Sequence, residues 1–111
     1  MKLDPRTVAV HAYEVAPGRI LAGDPRPSAV ELWKSPDGSV HGGVWEMSEG
    51  TLGGVDVDEL VHVVQGRVSV TFDDTGEGLE LAAGDVATFT RGRTMTWVVS
   101  ERFRAVFAGA V

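Results

Sequence analysis

The sequence predicts an all-β domain, a sandwich or a barrel, on three observations. Fourteen glycines stand among its 111 residues, and turn signals recur roughly every six to twelve positions. The runs between those signals are short and rich in valine, threonine and aromatic residues. No stretch carries the 3.6-residue apolar stripe of an amphipathic helix. The length suits one domain, and at that size roughly two-thirds of the unfolded chain's surface can be buried. Residues 1–111 are therefore read as a single unit, with 1–28 as an N-terminal arm or edge strand.

Each element can be justified in turn. Ser28-Ala29-Val30-Glu31 has the form of a helix capping box aimed at Trp33. Only seven residues separate Ser28 from Ser35, however, and Pro36-Asp37-Gly38 follows directly before a second β-like run, Val40 to Met47. A turn that tight between two such runs predicts a hairpin. Gly53-Gly54, Gly66, Gly76-Glu77-Gly78, Gly84-Asp85 and Gly92 punctuate the remainder as turns.

The alternation of period two is clearest in the second half. Val68, Val70 and Phe72 alternate with Arg67, Ser69 and Thr71. Met95, Trp97 and Val99 share one face of the next run, and Phe103, Ala105 and Phe107 share one face of the last. Those sets are the expected core.

Composition removes several function classes. Cysteine is absent, so disulfides, thiolate nucleophiles and zinc–thiolate sites are excluded. A net charge of −6 repels phosphate backbones and anionic lipid, so neither nucleic acid nor a membrane is an expected partner. No apolar run approaches the ~20 residues of a transmembrane helix. The start, Met1-Lys2-Leu3-Asp4-Pro5-Arg6, lacks the apolar stretch of a signal peptide. A cytoplasmic protein is the expectation.

Two motifs bear a resemblance to the cupin superfamily. Glu59, followed by six residues and then Gly66, resembles the end of the first cupin motif, where a strand with an inward glutamate runs to a tight glycine turn. Gly66 is then expected to take a positive φ in a short hairpin. Gly84-Asp85, Phe89 and Gly92 resemble the second motif, which opens another hairpin. Gly43-Val44-Trp45-Glu46 with Gly50, and Gly92 with Trp97, are similar to signatures of the ureidoglycine aminohydrolase-like subgroup. The resemblance covers about residues 29–107 and implies a small double-stranded β-helix, or jelly-roll, barrel. It also implies a homodimer, which the open edges of one small barrel favour as well.

The metal pattern of the family is broken here. Most metal-binding cupins use three histidines and a glutamate, a set suited to manganese, iron or zinc. The glutamate falls on Glu59, but the histidines fall on Leu52 and Gly54, or one residue later, and on Met95. The aminohydrolase's own ligand positions fall on Gly53 and Val55. No metal is assigned and the cofactor is left unknown.

Glu59 is the candidate catalytic residue. It reads either as a desolvated carboxyl that shuttles a proton, or as a barrel-mouth residue bonded to backbone amides or an arginine. Trp45, Met95, Trp97 and His41 are the candidate ligand pocket, with Met95 and Trp97 either walling a ligand or plugging the barrel. His41 with Glu46 and Glu59 is the one irregular metal set available. His62, three residues after Glu59, points the other way on a regular strand, and His11 belongs to the arm. The acidic runs 56–59 and 73–77 do not match a calcium loop and read as solvated turns. Arg91 and Arg93 either meet an anion at the mouth or form a solvated turn.

Three functions follow from different classes. One is an aminohydrolase-like or isomerase-like enzyme acting on a small polar metabolite through Glu59. Another is a metal-free binding or regulatory module, and a third is a barrel whose main role is dimerisation. The reading adopted is small-molecule binding, with catalysis by the inward glutamate left open against a metal-free binding, regulatory or dimerisation module.

Overall fold

The computed structural model describes all 111 residues as nine strands and no helix. In chain order these are β1 (His11–Ala12), β2 (Ile20–Gly23), β3 (Ser28–Lys34), β4 (Val40–Met47), β5 (Gly50–Val55), β6 (Glu59–Phe72), β7 (Gly78–Ala82), β8 (Val86–Phe89) and β9 (Met95–Ala110). All pairings are antiparallel within one curled sheet. No helix is long and apolar enough to cross a membrane. This is the single-domain cupin barrel that the sequence predicts.

The two longest strands organise everything else. β9 runs beside β6 from Glu59↔Gly109 to Phe72↔Met95. Along its other edge β9 pairs first with β5, through Met95 to Val99, and then with β4, through Phe103 to Ala110. Along the other edge of β6, β7 pairs with Arg67–Thr71 and β8 with Glu59–His62. The breaks fall in line: Ser48–Glu49 between β4 and β5, the irregular register at 63–68 of β6, and Ala83–Asp85 between β7 and β8. That line is a crease, and the sheet doubles over it into two facing layers.

The crease corrects the expected hairpins. Gly66 has its positive φ, at 85°, but it bends a continuous strand and closes no turn. A Cβ there would lie 2.0 Å from the Arg102 carbonyl oxygen, so glycine is what lets β9 pass. Gly84-Asp85 likewise is a corner between two strands that both pair with β6, not with each other. Gly53-Gly54 lies inside β5, at a register shift. A positive φ serves bulges and hairpins equally, so composition alone cannot separate them.

Inward positions follow the predicted alternation. Val68, Val70, Met95, Trp97, Val99, Phe103 and Ala105 are buried in one cluster with Met47, Leu52, Val61 and Val63. The predicted β3–β4 hairpin is present, its turn tied by Asp37, which accepts from the Ser35 and Ser39 hydroxyls and the Ser39 amide. Residues 1–28 contribute β1, on the edge of β3, and β2, on the edge of β5.

One polar cluster is buried on the outer face. Glu46 and Arg104 are opposite each other on β4 and β9, each under a tenth exposed. Arg104 donates from Nε to Glu46 over 2.7 Å and from Nη1 to the carbonyls of Pro5 and Val8. Arg102 also pairs with Glu46, and its amide donates to Glu49. The N-terminal segment is held to the barrel by this guanidinium.

Candidate functional site

Between the layers lies a cavity of about 410 Å³, within the range of small-molecule pockets. Thirteen of its nineteen lining residues are hydrophobic, and Arg19, His41, Asp56, Glu59 and Arg91 are the charged or titratable ones among the rest. Trp45, Trp97 and Phe103 meet edge to face: ring centroids are 5.6 Å apart for the tryptophan pair and 5.9 Å from each tryptophan to Phe103. Phe107 extends this wall toward the mouth and packs against His41 at 5.3 Å.

Glu59 opens β6 and projects from the inward face shared with Val61 and Val63. It pairs in register with Gly109, where a Cβ would sit 2.6 Å from Cβ of Glu59, so a glycine in β9 makes the glutamate's position possible. The carboxyl is mostly buried and accepts no hydrogen bond from the protein. Desolvation pushes its pKa above the usual carboxylate range, partly offset by the charge of nearby His41. The carboxyl therefore faces the cavity without the backbone-amide or arginine partners of a bonded barrel-mouth residue.

The remaining predicted pocket residues divide. Trp45, Trp97 and His41 line the cavity. Met95 does not: it is fully buried beside Val55 and Phe72, deeper in the core. Sharing a face with Trp97 predicts burial, but the cavity reaches only part of that face. His41 holds Glu31 Oε2 at 2.9 Å through Nδ1. His62 is exposed and faces away from Glu59, as strand parity requires.

A metal does not fit these residues. Glu46 is on the opposite face of β4 from His41 and Trp45, engaged with Arg102 and Arg104, which corrects the irregular set His41–Glu46–Glu59. No group of three histidine, aspartate or glutamate side chains converges anywhere in the fold. Leu52 and Gly54 line the cavity where the family's histidines fall, and neither offers a ligand atom.

Two site residues come from the arm and carry no sequence signal. Tyr13 follows β1, and its hydroxyl oxygen accepts from Trp45 Nε1 at 2.7 Å, leaving its own proton free to donate. Burial raises the Tyr13 pKa, keeping the phenol protonated. Arg19 is locked to β5: its Nε donates to the Gly53 carbonyl at 3.0 Å while the Gly53 amide donates to its own carbonyl at 2.7 Å. Asp56, which reads as a turn residue, and Arg91, for which the mouth is one of two readings, both line the cavity.

The model of the EutQ-like cupin domain matches residues 34–107, about two-thirds of the chain. No curated protein matches the sequence. Among solved structures, the Clostridium difficile EutQ protein superposes with a TM-score of 0.66 at 20% identity, covering 78% of this chain and 63% of that one. A Pseudomonas syringae protein of the DUF861 family, of unknown function, gives 0.81 at 19% identity, covering 93% of this chain and 45% of that one. The polyketide cyclase RemF from Streptomyces resistomycificus gives 0.67 at 15% identity, covering 99% and 78%. These likenesses show the fold.

Proposed function

This chain belongs to the EutQ-like cupin domain family, and on that premise we propose that its barrel binds one small molecule with a flat apolar body, with Glu59 exchanging a proton with it. The observation that carries this reading is the Glu59 carboxyl, facing an aromatic cavity with no donor from the protein. A desolvated acid with no partner costs stability, and a bound group that shares its proton removes the cost. The free Tyr13 hydroxyl, on a residue close enough to Glu59 to feel its charge, can hold a carbonyl oxygen while Glu59 takes the proton from the adjacent carbon. Within the fold, a neighbour named a polyketide cyclase gives precedent for catalysis in such a barrel.

The motifs around Trp45, Glu59 and Trp97 also support placing the chain near the ureidoglycine aminohydrolase-like subgroup, with different chemistry at Gly53 and Val55. A homodimer is the assembly we propose. In support, β3 from Val30 to Lys34 has no strand on its outer edge, and the exposed Trp33 sits in register with Gly42, Ala108 and Leu60 across the outer face. A monomer in sedimentation velocity at micromolar concentration refutes the dimer.

The test of the site uses 1-tetralone, a flat aromatic ketone, in D₂O. Wild type binds it, quenching tryptophan emission, and NMR shows deuterium entering the carbon beside the carbonyl above the buffer rate. Glu59→Gln keeps binding within about threefold and loses the exchange. Binding without exchange in wild type leaves a binding module and overturns the proton-transfer role. Absence of binding by any flat aromatic probe overturns the reading altogether.

A further inference from the structure

The arginines of this chain are distributed unevenly between paired and unpaired. Arg6, Arg26, Arg93, Arg102 and Arg104 each form an ion pair with a carboxylate. Arg19, Arg67 and Arg91 form none, and two of those three line the mouth of the cavity. In a chain of net charge −6 with sixteen acidic residues, unpaired guanidinium groups at one opening run against the composition.

Both are built onto the same segment, the end of β5 and the loop after it. Arg19 is fixed by its two bonds to Gly53, and its side chain lies over Gly54, whose missing Cβ would stand 3.4 Å from Arg19 Nε. The Arg91 and Gly92 amides donate to the Asp58 and Asp56 carboxylates, which anchors the turn that presents Arg91. Each of these two aspartates is bonded to a backbone amide and neither forms an ion pair with Arg19 or Arg91, and the Arg91 side chain has no hydrogen bond within the protein. The Arg19 fork keeps its two terminal nitrogens free. Guanidinium is suited to a carboxylate by shape as well as charge.

We propose that Arg19 and Arg91 receive the carboxylate of the ligand, so that the molecule taken up is a flat aromatic or conjugated organic acid, body inward and anion at the rim. This rests on the small-molecule reading of the same cavity. It orients the ligand, with the apolar body on Trp45, Trp97 and Phe103, the head between the arginines, and Glu59 alongside.

The experiment compares 2-naphthoate with 2-naphthamide by calorimetry, a pair alike in body and different in charge. Wild type is expected to bind the acid about tenfold more tightly at 25 mM salt, with the preference shrinking at 500 mM. Arg91→Gln reduces the preference to about twofold and Arg91→Lys restores part of it, whereas Arg67→Gln leaves it intact. Arg91 carries the test because its side chain makes no hydrogen bond or ion pair within the protein, so loss of fold does not confuse the result. Equal affinity for acid and amide overturns the head-group assignment while leaving the cavity reading in place. A preference that survives in Arg91→Gln,Arg19→Gln overturns it too, and failure to bind either compound sinks both.

Discussion

Replacing Arg104 with methionine tests how the N-terminal segment is fastened. Arg104 is 8% exposed, and its guanidinium meets Glu46 at 2.6 Å and the carbonyls of Pro5 and Val8 at 3.1 and 2.8 Å. Removing one member of a buried pair costs about 3–5 kcal/mol, because the other charge stays in low dielectric. Arg102 remains beside Glu46, half exposed, and lowers that figure. We expect about 3 kcal/mol, a large share of the roughly 5–15 kcal/mol of a typical domain and about 12 °C in Tm at this size. Urea unfolding with an unchanged m-value measures it, and trypsin cleavage after Arg6 should quicken in the native protein. The double variant Glu46→Met,Arg104→Met should recover at least half of the loss, since no buried charge is stranded. A single variant within about 0.5 kcal/mol of wild type, or a double variant as unstable as the single, would refute the reasoning.

Three further outcomes follow from other parts of the molecule. The raised pKa of Glu59 means that its contribution to stability is present below the ordinary carboxylate range and is lost as pH rises through the raised value; Glu59→Gln should thus exceed wild type by about 1 kcal/mol at pH 8, with the gap closing toward pH 4 in urea midpoints. Asp37 is held at about 2 by the Ser35 hydroxyl, the Ser39 amide and the Ser39 hydroxyl, so its contribution is present above the ordinary 3.8 and is lost as pH falls through about 2. Asp37→Asn should be less stable than wild type at pH 6 and approach it near pH 2, and a constant difference across that window would count against the turn. Gly66→Ala should cost about 3 kcal/mol or more, from a left-handed φ and the clash with the Arg102 carbonyl; a loss under about 1 kcal/mol in the same assay would show that β9 can yield.

How far the sequence discloses this protein depends on which residues alternate. The inward sets of β6 and β9 are legible because valine and aromatics recur at every second position against arginine, serine and threonine. Glu59 is legible by parity with Val61 and Val63, and the same parity separates Glu46 from Trp45 once one of them is known to face inward. Bends are harder: Gly66 and Gly84 announce positive φ, but only the partner strands decide that the chain continues and does not reverse. Tyr13 and Arg19 are invisible because the arm has no period, and their places are fixed by Trp45 and Gly53, dozens of residues away. Met95 shows the limit of parity, which reports a face and not the depth of a cavity.

The position of β9 between all the others has a kinetic consequence. Its sixteen residues supply the shared edge for β4, β5 and β6, and its partners lie as far off as Val40↔Ala110, roughly seventy positions along the chain. Until this strand docks, the sheet has no crease to fold over, and the cavity has neither Trp97 nor Phe103 in its wall. Loop closure over such spans must precede most of the stabilising contacts, which places folding among the slow, millisecond-to-second topologies. Acquisition of fold and of binding site should then be one event, with no partly folded form that already holds ligand.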